Sequence, residues 1–409
     1  MTGSLSIGLL SWAYPPEKSG LSRAAREIAE SLAARGHGVR VFTMDRDVRE
    51  DGAVSVIGCA LQEGSALARV RSLGAAGHLA APFALWRAVL AEHKRKPFDI
   101  LEATNWYAPG LFIAADPRLR LVTRNSTPAA TSIETASTLR ARIDKASACM
   151  IEKISARLSS RLISNTPDHG EKMAALYGVP PPGPGHDVIG LSLPASLLER
   201  AEAASYPHET APVRLLFIGR NEARKGADVL FPALERLAAS AALPAFSIDI
   251  VGIAEDEIAP LSANLRPRVT FHHRLDDHAL HDAMADAHII AAPSRYESFG
   301  LVYQEALAFG RPVVACAEDP SARRFIGATG AGSLAACSEP GALAKALSAM
   351  IAEPERRRAC RKAALSAAGR FTRETLGLET ERAYRSVLTA PRTDAGAPAR
   401  PPAVRRLRA

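Results

Sequence analysis

Short runs of apolar residues alternate along the chain with longer segments in which apolar residues recur every three or four positions. The short runs predict buried strands, and the longer segments predict helices with one buried face. Strands that alternate with helices are typical of an α/β fold, in which helices cover both faces of a parallel sheet. In the first half of the chain the predicted strands are 6–11, 39–43, 53–57, 98–103, 120–124, 161–164 and 187–189.

The alternation is interrupted near the proline-rich segment 180–184 and restarts at an apolar run after residue 213. Since 409 residues exceed what one hydrophobic core usually supports, we expect two Rossmann-like, doubly wound domains that face a cleft. The predicted domains are 1–193 and 194–374, followed by a helical segment 375–390 and a basic, proline-rich tail 391–409 that predicts disorder. The later predicted strands are 214–218, 247–251, 269–271, 288–292, 312–315 and 332–335.

Composition and charge narrow the class of protein only slightly. With 47% hydrophobic and 23% charged residues, the chain has an ordinary globular composition. A net charge of +8 attracts nucleic acid, anionic membranes and phosphorylated substrates alike. The five cysteines are scattered and lack metal-ligand spacing, which favours a reducing compartment and no zinc site. The first apolar run lacks a basic leader and no apolar stretch is long enough to span a bilayer, so we expect a cytoplasmic protein.

Loops at the carboxyl ends of the strands are the expected place for function in two doubly wound domains. No GxGxxG sequence follows the first strand, which disfavours a nicotinamide or flavin cofactor. We therefore expect no resident cofactor.

The segment 294–312 predicts an anion site at the start of a helix. A helix is expected over about 301–309, with Ser298 as its N-cap and the amides of Phe299, Gly300 and Leu301 left without helical partners. Such amides, reinforced by the helix dipole, favour a bound diphosphate. Glu305 would lie roughly 7 Å further along the axis, where a carboxylate can accept both hydroxyls of a ribose. Glu297, before the helix, could meet hydroxyls of a transferred sugar.

A second loop at the same sheet edge carries two cations. Gly219 and Arg220 end the strand 214–218, and Lys225 precedes Gly226 at the next helix start. Arg220 and Lys225 could neutralise a diphosphate and stabilise the charge that grows on it as it leaves.

These residues together resemble the retaining GT-B glycosyltransferases of family 4, which include sucrose-phosphate synthases and bacterial mannosyl- and glucosyltransferases. The resemblance rests on Gly219-Arg220 with Lys225-Gly226, on Pro293-Ser294, on the spacing from Glu297 to Glu305, and on the loop 14–20 with its following helix. It implies transfer of a hexose from a nucleotide diphosphate to an acceptor hydroxyl, with retention of configuration. The sequence shows no recognisable set of metal ligands at a strand end, so we expect transfer without a metal. The resemblance also implies that 375–390 crosses back to the first domain.

Carried over to this chain, the family's pattern makes Arg220 and Lys225 diphosphate ligands and Glu305 the ribose ligand. Glu297 would contact the donor sugar, and Gly20 would lie across the cleft near the phosphates. Two departures concern the opposite side of the cleft: Ser19 stands where relatives often have glycine, and Ser126 where many have histidine. A hydroxyl cannot replace an imidazole base, but retaining transfer is thought to use the leaving phosphate as the base.

The acceptor side is predicted from the residues after the strand 98–103. Glu102, Asn105, Trp106 and Tyr107 combine hydrogen-bonding groups with aromatic faces suited to a sugar, and simple packing explains them equally well. Glu102, Trp106 and Ser126 are therefore candidates to contact a carbohydrate, lipid-linked or small-molecule acceptor. The basic run 93–96, with the alanine-rich segment 74–90, could touch an anionic membrane.

Other functions remain open on the sequence alone. A GT-B epimerase would convert the nucleotide sugar without an acceptor, and a catalytically silent sugar-nucleotide-binding protein is suggested by Ser126. Nucleic-acid binding is disfavoured because no basic-aromatic recognition motif is visible. His272 and His273 invite a metal site, yet no DxD-like acidic cluster accompanies them, and Asp276 and Asp277 are expected to cap a helix.

Overall fold

Fourteen strands form two sheets in the structure, a computed structural model that describes residues 3–17, 19–133, 138–209, 212–369 and 371–390. The first sheet has the order β3-β4-β2-β1-β5-β6-β7-β8, and all neighbouring strands are parallel except the pair β3 and β4. Its strands are β1 (Ser6–Ser11), β2 (Gly38–Thr43), β3 (Arg49–Glu50), β4 (Val54–Gly58), β5 (Ile100–Thr104), β6 (Leu121–Arg124), β7 (Arg161–Ser164) and β8 (His186–Val188).

The second sheet is parallel throughout, in the order β11-β10-β9-β12-β13-β14. Its strands are β9 (Val213–Ile218), β10 (Phe246–Val251), β11 (Val269–His272), β12 (Ile289–Ala292), β13 (Val313–Cys316) and β14 (Gly332–Ala335). Each of the thirteen predicted strands has a counterpart within two residues at either end. The pattern missed only β3, because a two-residue polar strand carries no hydrophobic periodicity.

Helices connect the strands and cover both sheets, as the alternating pattern predicts. Those in the first half are α1 (Gly20–Ala34), α2 (Ala66–Arg71), α3 (Ala80–Arg95), α4 (Leu111–Ala114), α5 (Ala129–Ser132), α6 (Leu139–Leu158), α7 (Pro167–Tyr177) and α8 (Ala195–Ala203). Those in the second half are α9 (Ala227–Ala238), α10 (Asp277–Asp286), α11 (Leu301–Ala308), α12 (Pro320–Ala322), α13 (Pro340–Ala352), α14 (Pro354–Ala367) and α15 (Arg373–Thr389).

Each sheet contains one point at which the strand order reverses direction. In the first sheet β1 lies between β2 and β5, and in the second β9 lies between β10 and β12. Crossovers on the two sides of such a point leave a crevice at the carboxyl ends of the strands. The loops after β1, β5, β9 and β12 are therefore the segments that this topology makes available for a ligand.

Helix α15 packs against the first sheet and its helix α1. The Arg373 guanidinium pairs with the buried Glu27 carboxylate of α1 at 2.5 Å. Near its other end, the Tyr384 hydroxyl donates to Glu102 of β5 at 2.8 Å. The helical segment predicted at 375–390 thus corresponds to α15, whereas the predicted tail 391–409 lies outside the described residues. The predicted domain limits at 193 and 374 remain predictions.

Membrane-spanning segments are not found among the helices of the described ranges, since none combines the required length with sufficient apolarity.

We expect Tyr384→Phe to lower the apparent free energy of unfolding by about 2 kcal/mol, because the fully buried hydroxyl donates to a charged carboxylate. Urea denaturation of the purified protein measures the change. Arg358→Ala, which removes an exposed pair with Glu355, is the control and should alter stability by less than about 0.5 kcal/mol. A Tyr384→Phe variant as stable as the wild type would show that this hydrogen bond does not hold α15 in place.

Candidate active site

An ion pair crosses the cleft between the first helix of one sheet and the helix after β12 of the other. Arg23 of α1 donates from Nη1 to Oε1 of Glu305 on α11 at 2.5 Å. The Glu305 carboxylate is buried, whereas about a third of the Arg23 side chain is exposed. Glu305, the predicted ribose ligand, therefore lies at the interface between the two sheets, and its partner Arg23 was not predicted.

The start of α11 is built around a glycine. Gly300 has a φ of +80°, and a Cβ at this position would lie 2.3 Å from the Tyr303 ring. Gly300 itself is the N-cap and contributes no side-chain cap, so the prediction of Ser298 as N-cap was wrong. The first-turn amides, which begin at Leu301, lack partners within the helix and carry the positive end of its dipole. This arrangement suits an anion, as the sequence predicted for this segment.

Phe299 has a packing role in addition to its place before the helix. Its side chain is buried and meets the rings of Phe325 and Phe371 edge to face, with centroids 5.5 and 5.0 Å away. Because Phe371 precedes α15, the contact joins the start of α11 to the segment that leads into α15. Because its side chain is buried in these contacts, Phe299 can contact a ligand only through its backbone.

Two cations surround the buried Glu297 carboxylate. Lys225 donates to Oε1 at 2.6 Å and Arg224 to Oε2 at 3.3 Å, while the Ser294 hydroxyl donates to Oε1 at 2.8 Å. Burial alone would raise the pKa of Glu297, but Lys225 and Arg224 lower it below the ordinary value. The structure thus brings together Lys225 and Glu297, as the predicted site requires, and adds Arg224, which the sequence reasoning did not single out.

Arg220 is linked to this cluster through Glu222, whose carboxylate also pairs with Arg224 at 3.3 Å. Its guanidinium pairs with Glu222 at 2.8 Å, and three quarters of the side chain is exposed. Gly219 and Gly226 shape the loop that carries it: a Cβ at Gly226, where φ is +75°, would lie 2.1 Å from the Pro293 carbonyl oxygen. The loops after β9 and β12 are consequently in direct backbone contact.

Asp319 supports the same site and was missed by the sequence reasoning. Its carboxylate accepts hydrogen bonds from the Glu297 amide at 3.1 Å and the Tyr303 hydroxyl at 2.6 Å. Asp319 therefore joins the loop before α11 to the first turn of that helix. Burial raises the pKa of Asp319 to about 6. The only local signal is an aspartate before Pro320, which indicates a helix cap and gives no hint of the distant partners.

Ser126 is held by hydrogen bonds within the first sheet. Its amide and its hydroxyl both donate to Oδ1 of Asn105, at 2.6 and 2.9 Å, and the hydroxyl lies 3.0 Å from that of Thr104. A histidine near this position does occur: His169 Nε2 lies 3.2 Å from the Ser126 carbonyl oxygen. Burial lowers the pKa of His169 to about 3, so that imidazole is neutral at physiological pH.

A buried carboxylate on α6 fixes the loops around Ser126. Glu152 accepts the amides of Tyr107 and Ala129 at 3.0 and 3.1 Å and the hydroxyl of Tyr177 at 2.9 Å. Tyr177 in turn accepts a hydrogen bond from Asn105 at 2.7 Å. The positions of the loops after β5 and β6 therefore depend on Glu152. Hydrophobic patterning predicts only that this residue lies on a helix and does not predict its contacts.

Aromatic rings line the loop after β5. Trp106 accepts a hydrogen bond from Trp12 Nε1 through its carbonyl oxygen at 2.6 Å, and the rings of Trp12 and Tyr107 both meet the Trp106 ring edge to face. Tyr107 and Ala108 have φ values of 51° and 44°. Such conformations are costly for residues other than glycine and persist where surrounding contacts impose them, often at functional sites.

Glu102 is enclosed by protein, whereas Gly20 lies at an open helix start. The Glu102 carboxylate is buried, pairs with Arg124 at 2.8 Å and accepts from Tyr384, contacts that favour the packing interpretation over acceptor binding. Gly20 is the first residue of α1, whose N-cap is Ser19; the Ser19 hydroxyl accepts the Ser22 amide. A Cβ at Gly20 would meet nothing within 4 Å, so packing does not demand glycine here.

Groups of three or more histidine, cysteine or acidic side chains that could hold a metal are not found in the ranges that the structure describes. Asp276 caps α10 by accepting the Ala279 amide, as predicted. His272 lies 2.8 Å from an Asp249 carboxylate oxygen.

Two family models match successive parts of the chain. The "Glycosyl transferase 4-like domain" matches residues 19–184, and "Glycosyl transferases group 1" matches residues 199–366. The gap between the two matches, residues 185–198, contains β8, the last strand of the first sheet, and the start of α8.

Curated relatives match about half of the chain. The D-inositol 3-phosphate glycosyltransferase of Xylanimonas cellulosilytica is 32% identical over 226 residues, which cover 52% of this chain and 54% of the relative. The phosphatidyl-myo-inositol mannosyltransferase of Mycolicibacterium smegmatis is 33% identical over 196 residues, which cover 47% and 50%. The chain thus spans about half the length of these relatives.

Solved structures match nearly the whole chain and confirm the GT-B fold. Sucrose-phosphate synthase from Thermosynechococcus elongatus superimposes with a TM-score of 0.71 at 22% identity, over 94% of this chain and 99% of that one. Anabaena HepE in complex with UDP and glucose superimposes with a TM-score of 0.64 at 20% identity, over 93% and 100%.

We expect the stability of the wild-type protein to fall as the pH rises from about 4.5 to about 7, relative to Glu152→Gln. Burial raises the pKa of folded Glu152 from 4.5 to about 7, so within this window the folded state holds a proton that the unfolded chain releases. The full shift corresponds to about 3 kcal/mol. Urea denaturation of both proteins at several pH values measures the difference, and parallel curves across the window would contradict it.

Proposed function

Because the chain belongs to the group 1 glycosyltransferases of the GT-B fold, we propose that it transfers a hexose from a nucleotide diphosphate to an acceptor hydroxyl. We further propose that the configuration of the anomeric carbon is retained and that no metal is needed. The nucleotide sugar would bind along α11 and the loop after β9, and the acceptor on the loops after β5 and β6.

The observation that carries this proposal is the contact of Lys225 with Glu297 beside a helix start that has no side-chain cap. Amides at the helix start would bind the diphosphate. Arg220 and Lys225, together with Arg224, would stabilise the negative charge that develops on it when the bond to the anomeric carbon breaks. With these cations in place, the protein supplies the charge that a divalent ion supplies in other transferases.

Glu305 supports the proposed position of the ribose. Only its Oε1 is hydrogen-bonded to Arg23, so Oε2 is available to accept a ribose hydroxyl while the ion pair stays intact. The donor would then contact both α1 and α11, and its binding would favour the arrangement in which the two sheets approach each other.

The lack of an imidazole at Ser126 supports the leaving phosphate as the base. His169 donates from Nε2 to the Ser126 carbonyl oxygen, is buried and has a pKa of about 3, which makes it a poor acceptor for the hydroxyl proton. A phosphate oxygen on the face that the leaving group vacates would take that proton, and the acceptor oxygen would bond to the same face.

Names of similar proteins indicate the first compounds to test. HepE binds UDP and glucose, and the two relatives act on D-inositol 3-phosphate and on phosphatidyl-myo-inositol. A UDP-hexose donor with a phosphorylated polyol or a lipid-linked acceptor is therefore the first combination. Epimerisation of the donor is one alternative function. A second alternative, suggested by Ser126 in place of a histidine, is a catalytically silent protein that binds the sugar nucleotide.

Product analysis distinguishes the three functions. Incubation with UDP-, GDP- and ADP-sugars and candidate acceptors, followed by mass spectrometry and NMR, should show a glycosylated acceptor with the donor's anomeric configuration. A changed sugar without an acceptor would identify an epimerase. Nucleotide binding without any release of nucleoside diphosphate would identify a silent protein.

We expect Lys225→Met to weaken nucleoside diphosphate binding by about 10- to 100-fold, the usual loss for one hydrogen bond to a charged group. Turnover should fall by at least ~100-fold, because the cation also stabilises the departing charge. Thermal shift against UDP, GDP and ADP measures binding, and release of the diphosphate measures turnover. Lys345→Met, an exposed lysine of α13, is the matched control and should leave both unchanged.

The same substitution leaves Glu297 with less charge compensation, so Lys225→Met should also destabilise the protein. Lys225→Met combined with Glu297→Gln should recover part of that stability without restoring nucleotide binding. If the double variant bound the nucleotide as tightly as the wild type, the proposed role of Lys225 would be wrong.

A further inference from the structure

A cavity of about 920 Å³ lies beside α11, on a different side of the helix from the ribose position proposed above. Gln304 and Leu307 of α11 line the cavity, whereas Glu305 pairs with Arg23 of α1. Positions 304 and 307 lie about 100° and 160° round the helix from position 305, in the same sense. The cavity is therefore separate from the ribose position, and its volume is that of a small-molecule site.

Both sheets contribute walls to this cavity. The start of α7 and Val188 of β8 come from the first sheet, and α11, α14 and the segment 320–329 come from the second. Asp168 of α7 and Arg324 pair across the cavity wall at 3.1 Å. We call this space the α7–α11 cavity. A ligand in it would contact both halves of the protein at once.

Two buried amide side chains line the α7–α11 cavity, and each has one polar atom without a hydrogen-bond partner among the described residues. Gln304 is 3% exposed and Asn165 is 5% exposed, and the unpaired atoms are Gln304 Nε2 and Asn165 Oδ1. The other end of the Asn165 amide is used, because Nδ2 donates to the Asn125 carbonyl oxygen at 3.3 Å. Buried polar atoms in folded proteins are normally paired with protein, ligand or ordered water.

The two unpaired atoms have opposite requirements. Gln304 Nε2 needs an acceptor, whereas Asn165 Oδ1 needs a donor. An anion supplies only acceptors and an ammonium group only donors, so either would leave one of the two amides unpaired. A hydroxyl both donates and accepts. The pair of amides thus favours a ligand rich in hydroxyl groups.

The charges of the α7–α11 cavity are balanced. Among the lining residues that the structure describes are two guanidinium groups, Arg323 and Arg324, and two carboxylates, Asp168 and Glu379. The guanidinium groups donate and the carboxylates accept, so all four can hydrogen-bond to hydroxyls. Since neither sign is in excess, the lining favours a neutral ligand over a phosphorylated one.

Apolar side chains form the rest of the lining. Phe325 and Phe371 meet edge to face with centroids 5.6 Å apart, and both line the cavity with Leu307 and Val188. Mostly apolar walls with a few polar groups that fix orientation are typical of small-molecule sites. A sugar ring has an apolar C–H face for such walls and hydroxyls at its edge for the polar groups.

We propose that the α7–α11 cavity binds a neutral carbohydrate of mono- or disaccharide size, apart from the nucleotide sugar. Because the ligand would contact both sheets, its binding would favour the arrangement in which Asp168 and Arg324 are paired. This binding does not rest on the proposed function, since it requires neither a nucleotide nor a reaction.

Isothermal titration calorimetry of the full chain tests the proposal. The probes are glucose, maltose and sucrose, with glucose 6-phosphate and glucosamine as charged comparisons. At least one neutral sugar should bind with a stoichiometry of one, and more tightly than either charged sugar. Gln304→Met keeps the length of the side chain but removes the unpaired donor, so it should weaken binding by about tenfold or more.

A second variant fills the cavity without touching the core. Ala328 lines the cavity and is exposed, so Ala328→Trp should abolish sugar binding by occupying the space while the melting temperature stays that of the wild type. Gln62→Met and Ala352→Trp make the same replacements at exposed positions outside the cavity lining. Both controls should bind the sugar like the wild type.

The outcomes separate this proposal from the proposed function. Lys225→Met should bind the sugar like the wild type while losing nucleotide binding. Binding of none of the neutral sugars would show that water alone satisfies the two amides and would overturn the proposal. Sugar binding that Gln304→Met or Ala328→Trp leaves unchanged would place the sugar elsewhere, and tighter binding of glucose 6-phosphate would indicate an anion site. Either result would overturn the proposal.

Discussion

A carboxylate buried between packed elements requires a nearby cation or several donors, and this requirement recurs at each place where the chain must be held together. Glu27 binds Arg373 and so attaches α15 to α1, while Glu102 binds Arg124 and Tyr384 and attaches α15 to the first sheet. At the cleft, Glu305 binds Arg23 across the two sheets. The same requirement joins the loops after β9 and β12 through Lys225 and Glu297.

These pairs differ in what a ligand could do to them. Glu27 and Glu102 are enclosed by protein, so their partners are permanent parts of the fold. Glu297 and Glu305 lie where the helix start of α11 favours an anion, and their cations retain donors that a diphosphate or ribose could use. The elements that close the cleft are thus the same elements that would bind the donor, which is why donor binding and approach of the two sheets are coupled in the proposed function.

On the acceptor side, a single buried acid, Glu152, holds the loops in place. Glu152 accepts two loop amides and the Tyr177 hydroxyl, and these contacts fix the strained backbone at Tyr107 as well as the position of Asn105 beside Ser126. Because Glu152 projects from the inner face of α6, it also fixes which face of that helix points outward. The geometry of the acceptor loops and the orientation of α6 consequently have one physical origin.

Periodicity and local spacing determined the two parallel sheets, the helix that follows β12 and the grouping of Lys225, Glu297 and Glu305 near one sheet edge, because each depends on residues close in sequence or on the topology of alternating strands and helices. Only the tertiary structure decided the partners. Arg23 and Glu305 are 282 positions apart, and no local pattern specifies which cation reaches which carboxylate. Likewise Ser298 was a reasonable N-cap until the positive φ of Gly300 placed the helix start two residues later. The large apolar residues of α6 from Leu139 to Leu158 recur at helical spacing in the sequence, but their exposure depends on the opposite face being the one that packs, which is a property of the assembled core.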